Sequence, residues 1–567
     1  MKRRDFLKTG LKIGVAANAL PMLLGGFPIR ALGRSPLRSA LEQSSATNNN
    51  VLVIIQLQGG NDGLNCVVPY SDPNYASNRP TLGLTLKASS NANSQGGDLF
   101  QLPAPNDSLA FHWAMQGFST LFGENKIALL QNVGYPNPIL SHFRGTDVWN
   151  TATDSGLYAS SGWVGRFLAN QYGAPATSVG SWPLGIEFGS ALSDIFLGAN
   201  GGMGIAISSM PSKASPGGQS YDSIPSNPTT QYNELAFVRL IQQESEVYSQ
   251  TIVNRTVQAN KVTYPTSALA TQLSDIAQMI ASQGQSTIGG KTYQLMPPKI
   301  YLVTQGSYDT HSDEISRQAS LLTDLAAAVL AFQQDIEALG IADNVAMLTY
   351  SEFGRRPKEN GSGTDHGTSA PHFVIGTQVV GKVFGSDPDL STSGLAGSTT
   401  GSDIVPSGNM TFDSTYDFRN VYATVINEWL LAGAPQATID AAIKDVLTQD
   451  TSATYSDTTT WNSSLGIFNA QSGVASSQST PGLMLLPNYP NPAYGPTTIP
   501  YVIDAAGPVE LGIFSVDGTE VARPVDGWQS SGPQNVTFDA SKLAAGTYFY
   551  RLTTSKQSVT RPMSVVR

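Results

Sequence analysis

The stretch Val51-Leu52-Val53-Ile54-Ile55-Gln56-Leu57-Gln58-Gly59-Gly60-Asn61-Asp62-Gly63 decides the fold. A short, continuous and mostly β-branched apolar run that stops at glycines reads as a strand buried on both faces, the kind that builds parallel sheets. Similar runs recur at Ile127-Ala128-Leu129-Leu130, Ile300-Tyr301-Leu302-Val303, Val345-Ala346-Met347-Leu348 and Phe373-Val374-Ile375. Between and around them lie segments with apolar residues at helical spacing. Residues 315–339 place Leu321, Leu322, Leu325, Val329, Leu330 and Phe332 in this way, and residues 234–253, 268–280 and 419–431 follow the same pattern. Strand and helix in alternation predict an α/β sandwich with a largely parallel sheet. Such sheets bind ligands beyond the carboxyl ends of their strands.

The polar motifs fall at those ends. The first strand runs into Asp62, the Ile300 strand into Asp309-Thr310-His311, and the Val345 strand into Ser351-Glu352-Phe353-Gly354-Arg355. Only five histidines occur in 567 residues, and two of them sit in Asp309-Thr310-His311 and Asp365-His366-Gly367. On extended chain, Asp309 and His311 fall on one face, which suits metal ligation by both. Each motif alone is weak, because Asp and Gly after a strand also mean a turn. Ser141 precedes residues 143–151, which read as a helix, so it is either an N-cap or a nucleophile. His142 is a ligand or a hydrogen-bond partner, and His112 and His372 read more simply as packed core histidines.

Composition narrows the partners. Charged residues make up 13% of the chain and the net charge is −10, which argues against nucleic acid. The lone Cys66 excludes an intramolecular disulfide. Residues 1–33, with Lys2-Arg3-Arg4 ahead of a short Gly- and Ala-containing apolar stretch, read as a cleaved twin-arginine signal recognised by the twin-arginine translocase. No later stretch is apolar enough to serve as a transmembrane anchor once that signal is cut. Residues 34–50 and 451–482 read as polar linkers, which leaves domains at 51–450 and 483–567.

Taken in order, Gly59-Gly60-Asn61-Asp62-Gly63-Leu64-Asn65, Ser141-His142-Phe143, Gly162-Trp163-Val164-Gly165-Arg166, Asp309-Thr310-His311, Ser351-Glu352-Phe353-Gly354-Arg355 and Thr364-Asp365-His366-Gly367 resemble the bacterial family called domain of unknown function 1501. That family is grouped with the alkaline phosphatase-like superfamily. The resemblance implies an alkaline phosphatase-like α/β sandwich and a metal-dependent hydrolase of a small phosphate or sulfate ester. It implies two metals, Zn or Mn with Mg also admitted, one on Asp62, Asp365 and His366 and the other on Asp309 and His311. It makes Ser141 the nucleophile, with Arg144 or Arg355 on the remaining ester oxygens. The one-residue gap between Asp309 and His311 departs from the superfamily pattern, which leaves room for a non-catalytic surface or carbohydrate-associated binding protein on the same fold.

The last part of the chain alternates apolar and polar residues in six short runs, with Asp517-Gly518 as a hairpin signal, and reads as a small β-sandwich. Asn488-Tyr489-Pro490-Asn491-Pro492, Phe514-Ser515-Val516-Asp517-Gly518 and residues 543–552 resemble the sorting domain of type IX secretion substrates. That resemblance implies the type IX machinery as a partner, with transit through the periplasm to the cell surface or medium.

Overall fold

The computed structural model describes residues 22–24, 27–30, 49–87, 97–172, 184–198, 201–209, 258–282, 285–288, 291–294, 300–397, 405–447, 461–469, 484–485, 488, 493, 495–503, 506–515, 519–530, 532–554 and 558–565. The chain divides into a larger compact unit ending at Gln471 and a smaller one made of Arg38–Ser45 and Ser472–Arg567.

The larger unit is built on a ten-stranded sheet. Its strands are β1 (Met22–Leu24), β2 (Phe27–Arg30), β3 (Val51–Leu57), β4 (Ile127–Val133), β5 (Gly185–Phe188), β6 (Ile205–Ile207), β7 (Ile300–Gln305), β8 (Val345–Tyr350), β9 (Ala370–Ile375) and β10 (Lys382–Phe384). They lie in the order β1-β2-β6-β5-β7-β3-β8-β9-β4-β10. The run β6-β5-β7-β3-β8 is parallel, and β9 pairs antiparallel with both β8 and β4. Every residue of β3, β4, β8 and β9 is buried, as an apolar run without alternation requires when a sheet is covered on both faces. The expected Phe373 strand is thus present but runs against both its neighbours, β8 and β4.

Six helices are used below: α1 (Gln116–Gly123), α2 (His142–Thr151), α3 (Trp163–Tyr172), α4 (Ala268–Ala281), α5 (Glu314–Ala338) and α6 (Gln436–Leu447). Helix α5 buries Leu322, Leu325, Val329, Phe332 and Ile336 along one stripe. It is long and apolar enough to cross a membrane, yet half of its most apolar window is buried inside the fold. The helical pattern at 419–431 begins as α-helix over Phe418–Thr424 and widens to π-helix over Val425–Leu430. Arg166 on α3 is buried and has only oxygen acceptors without charge: Val446 O near the end of α6, Thr151 O at the end of α2, and both oxygens of Ser161. The negative ends of two helix dipoles stand in for a counter-ion.

Several expectations fall outside the described residues: Arg3-Arg4, the helix at 234–253, most of both linkers, and the Asp517-Gly518 turn. Within the segment expected to be cleaved, β1 and β2 form a hairpin and β2 pairs with β6. Asn50, at the end of the expected flexible linker, is buried and donates to Trp429 O at 2.8 Å.

The smaller unit is all antiparallel β. One sheet orders Met484–Leu485, Pro496–Ile503 and Gly532–Asp539, and the other orders Glu520–Gln529, Gly507–Ser515, Gly546–Thr554 and Ser558–Val565. Ile499, Tyr501, Leu511, Ile513, Tyr550, Leu552 and Met563, alternating along their strands, share one core.

Candidate metal centre

The carboxyl ends of β3 and β7 meet through main-chain bonds, and that of β8 joins β3 through Ser351 Oγ, which donates to Leu57 O and accepts from Asn61 N. Gln58 N donates to Gln305 O at 2.9 Å and Tyr308 N to Gln58 O at 3.1 Å. Gly59, at φ +124°, makes this approach feasible, since a Cβ there would lie 2.4 Å from Asp309 N. Arg355 is the pin: its guanidinium, fully buried, donates to Gly59 O, Gly60 O, Tyr308 O and Thr364 O, and to Asp309 Oδ1 at 2.6 Å. Burial opposes ionisation of Asp309, but bonds from Arg355 and His366 and the Arg355 charge outweigh it and hold its pKa at about 2. Arg355 therefore fixes Asp309 and keeps it ionised, with its buried guanidinium bonded to protein acceptors.

Around Asp309 stand three imidazoles. His366 Nε2 and His311 Nε2 lie 3.2 Å from Asp309 Oδ1 and 3.0 Å from each other, and His142 Nε2 lies 3.5 Å from Asp309 Oδ2. The far nitrogens are committed elsewhere. His366 Nδ1 faces Leu140 O at 2.9 Å, and a carbonyl can only accept, so that nitrogen carries the proton. His142 Nδ1 faces Glu352 Oε1 at 2.9 Å, an atom that also accepts from Gly59 N at 2.8 Å. Both rings, when neutral, thus turn an Nε2 lone pair toward Asp309. His311 repeats the pattern more loosely, with Nδ1 3.4 Å from Asp365 Oδ1. Burial lowers the pKa of His366, which keeps the ring neutral. His142 Nε2 is buried without a hydrogen-bond partner.

Acceptors so gathered repel one another unless a proton or a cation sits among them. His142, Asp309 and His366 offer donor atoms that all lie within 4.8 Å of one another. Tetrahedral Zn, with bonds of about 2.0–2.1 Å, puts its ligands roughly 3.3–3.5 Å apart, close to the 3.2–3.5 Å that separate the three imidazoles from Asp309. The residues present fit a divalent cation, and the carboxylate behind His142 and the carbonyl behind His366 are the outer partners that orient metal-bound imidazoles. Gly145 lets α2 pack so closely: a Cβ there would stand 3.2 Å from Glu352 O. Phe353 lies against the His366 ring with centroids 4.3 Å apart.

The expected residues divide between the cluster and its surroundings. Asp309, His311 and His366 come together, and His142, left open between two roles, joins them. Among the described residues no second group of this kind forms, so the division into two centres is not what the structure shows. Asp62 is taken by Arg79: both side chains have no exposure, and Nη2 donates to Oδ1 at 2.8 Å while Nη1 meets Oδ2. Burial would raise the Asp62 pKa, and the Arg79 charge overcomes it and lowers it instead. Next to this pair Glu314 is pushed well above the carboxylate range by burial and by the Asp62 charge. Asp365 is 54% exposed and serves as a partner of His311 Nδ1 and of Asn360. Arg144 is held in a local clasp by Asp147 and by the carbonyls of Asp154, Ser155 and Leu157. Ser141 is the N-cap residue of α2 by position, yet its side chain makes no cap bond. His372 packs on Trp149 and His112 on Trp113, both buried and with burial holding their pKa values down at about 3 and about 4. The signal for His142 was available in the sequence as Ser141-His142-Phe143, but its partner Glu352 lies 210 positions away.

A cavity of about 570 Å³ opens beside the cluster, with His142 and Asp309 in its wall. Another part of that wall, Ser193 and Asp194, is held by Glu187 on β5, whose Oε2 accepts from Ser193 N at 2.6 Å. Burial raises the Glu187 pKa to about 7. An acid with a raised folded-state pKa binds more protons folded than unfolded, so its stability contribution is lost as pH rises from its unfolded value near 4.5 through 7. Stability measured by urea unfolding is expected to fall by about 3 kcal/mol over that window from this group. Glu187→Gln is expected to remove that slope, and an unchanged slope would rule the group out as its source.

Comparison with known proteins follows the division of the chain. Residues 225–442 match the family described as protein of unknown function (DUF1501). Over that stretch the chain is similar to this family. Asp309, His311, Glu352, Arg355, Asp365 and His366 lie inside the match, while Asp62, Ser141 and His142 precede it. Residues 488–566 match the secretion system C-terminal sorting domain, the type IX tail that directs export to the cell surface or extracellular space. No curated protein matches the chain. Among solved structures, the chain is similar to a protein in the alkaline phosphatase superfamily from Vibrio parahaemolyticus, at 10% identity over 68% of this chain and 72% of that one, with a TM-score of 0.25. It is also similar to the lipoteichoic acid synthase LtaP from Listeria monocytogenes, at 9% identity over 65% and 71%, with a TM-score of 0.24. PorZ of the Porphyromonas gingivalis type IX secretion system matches at 20% identity and a TM-score of 0.12 over 19% of this chain, which spans 14% of that protein's length.

Proposed function

We propose that His142, His366, Asp309 and His311 hold one divalent cation, and that the protein is an exported metal-dependent hydrolase of phosphate or sulfate esters. The observation that supports this most is the commitment of His142 Nδ1 and His366 Nδ1 to fixed acceptors, which aims two Nε2 lone pairs at an ionised Asp309. Imidazoles with one carboxylate suit Zn or Mn better than Mg, which prefers oxygen. A cation bound there would supply Lewis acidity toward an ester oxygen. Ser141 is the nucleophile in this reading: it is exposed, its hydroxyl makes no cap bond, and it stands between Leu140 and His142, both of which touch the cluster. Attack by Ser141 Oγ on phosphorus or sulfur would form a seryl ester and release the alcohol, which leaves with the proton Ser141 loses. Water would then return the free serine and the inorganic acid. In the same proposal Arg3-Arg4 direct export by the twin-arginine translocase ahead of type IX secretion.

A single cluster also favours a second reading, a binding protein that holds metal without turnover. Purified protein is expected to contain near one equivalent of Zn or Mn and to hydrolyse p-nitrophenyl phosphate or p-nitrophenyl sulfate in a chelator-sensitive way. Ser141→Ala is expected to keep the metal and lose at least about 100-fold in rate, as removal of a nucleophile does. Metal without hydrolysis of either ester would leave the binding protein; absence of metal would overturn both.

A further inference from the structure

The cavity beside the cluster has a chemistry of its own. Its volume, about 570 Å³, is that of a small-molecule site. Gln58, Thr146, Asn150, Ser193 and Ser307 line it with neutral amides and hydroxyls, and none of its described lining residues is Lys or Arg. Phe143, next in sequence to His142, is 92% exposed at the same wall and is the most exposed of the large apolar side chains described. Of the carboxylates in the lining, Asp147 is countered by Arg144 and Asp309 by Arg355, which leaves Asp194. Apart from the cation proposed at His142 and Asp309, the lining carries no positive charge, so it offers no partner for a second anionic group. Neutral donors and acceptors around one bare aromatic face match a ring that carries hydroxyls on its edges and C–H bonds on its face.

We propose that this cleft receives an uncharged, polyhydroxylated sugar-like group, stacked on Phe143 and hydrogen-bonded by the neutral side chains, so that the ester presented to the cluster is a glycosyl one. The inference rests on the reading of His142 and Asp309 as metal ligands, since they face this cleft. The Asp194 carboxylate adds to the fit as an acceptor for hydroxyls.

The full chain, loaded with Zn, is to be tested by calorimetric titration against a panel of neutral oligosaccharides, with spermidine as a cationic probe. At least one oligosaccharide is expected to bind, Phe143→Ala is expected to weaken it about fivefold to tenfold, and Phe143→Trp is expected to retain it. Because Phe143 is exposed, neither change threatens the fold. Binding by none of the panel, binding indifferent to Phe143→Ala, or binding of spermidine in its place would each overturn the inference. Hydrolysis of the p-nitrophenyl esters, measured on the same preparation, separates the two readings. Turnover without sugar binding sinks this inference alone, and Phe143-dependent sugar binding without turnover sinks the hydrolase while the cleft stands.

Discussion

His366→Ala is expected to release the cation: metal affinity should fall by more than about 100-fold, beyond the 10–100-fold that loss of an outer partner costs. The reason is geometric. His366 is the imidazole whose proton is fixed by a main-chain carbonyl, so its Nε2 lone pair cannot be reassigned by a side-chain rearrangement. His142→Ala should do the same. Glu352→Gln should cost only about 10–100-fold, because the imidazole remains and loses the charge that orients it. Equilibrium dialysis against Zn with elemental analysis reads all three. Near-stoichiometric metal in His366→Ala would remove the cluster from consideration, and equal losses in all three variants would point to unfolding rather than ligand loss.

Arg79→Met is expected to destabilise the larger unit by about 3–5 kcal/mol, since it leaves Asp62 as an unpaired charge with no exposure and with Glu314 beside it. The companion change Asp62→Asn with Arg79→Met should recover much of that loss, because the cost lies in the orphaned charge. The pH dependence has a defined sign. The folded-state pKa of Asp62 is depressed, so its contribution is present above the unfolded value of about 4 and is lost as pH falls through the folded value. The gap between the parent and Arg79→Met, read by urea unfolding, should therefore narrow in acid. The pair also separates stability from metal binding: Asp62→Asn should leave metal content as it is, the opposite of what a ligand would show. Loss of metal in folded Asp62→Asn would restore Asp62 to the site.

Much of the fold was legible in the sequence because it is local. The runs at 51, 127, 300 and 345 are buried strands, and the apolar stripe of α5 was readable from spacing alone. The direction of β9 was not, since an apolar run carries no record of its partner's orientation. The site was half legible. Asp309, His311 and His366 announced themselves by composition, being rare imidazoles next to acids at strand ends. Asp62 was misassigned as a ligand on the same logic, because nothing in a Gly-Asn-Asp-Gly turn foretells Arg79 folding back from position 79 to neutralise it.

What the sequence determined by itself is the set of strands, the helices between them, the export tail, and the end of the sheet at which acids and histidines accumulate. These follow from periodicity and turn chemistry, which act between neighbours. Only the tertiary structure decided which acid remains available and which imidazole nitrogen faces it, because those depend on pairings across the chain: Arg355 with Asp309, Glu352 with His142, and the Leu140 carbonyl with His366. A proton on one ring nitrogen rather than the other is set by what lies 2.9 Å away, and that neighbour is chosen by packing.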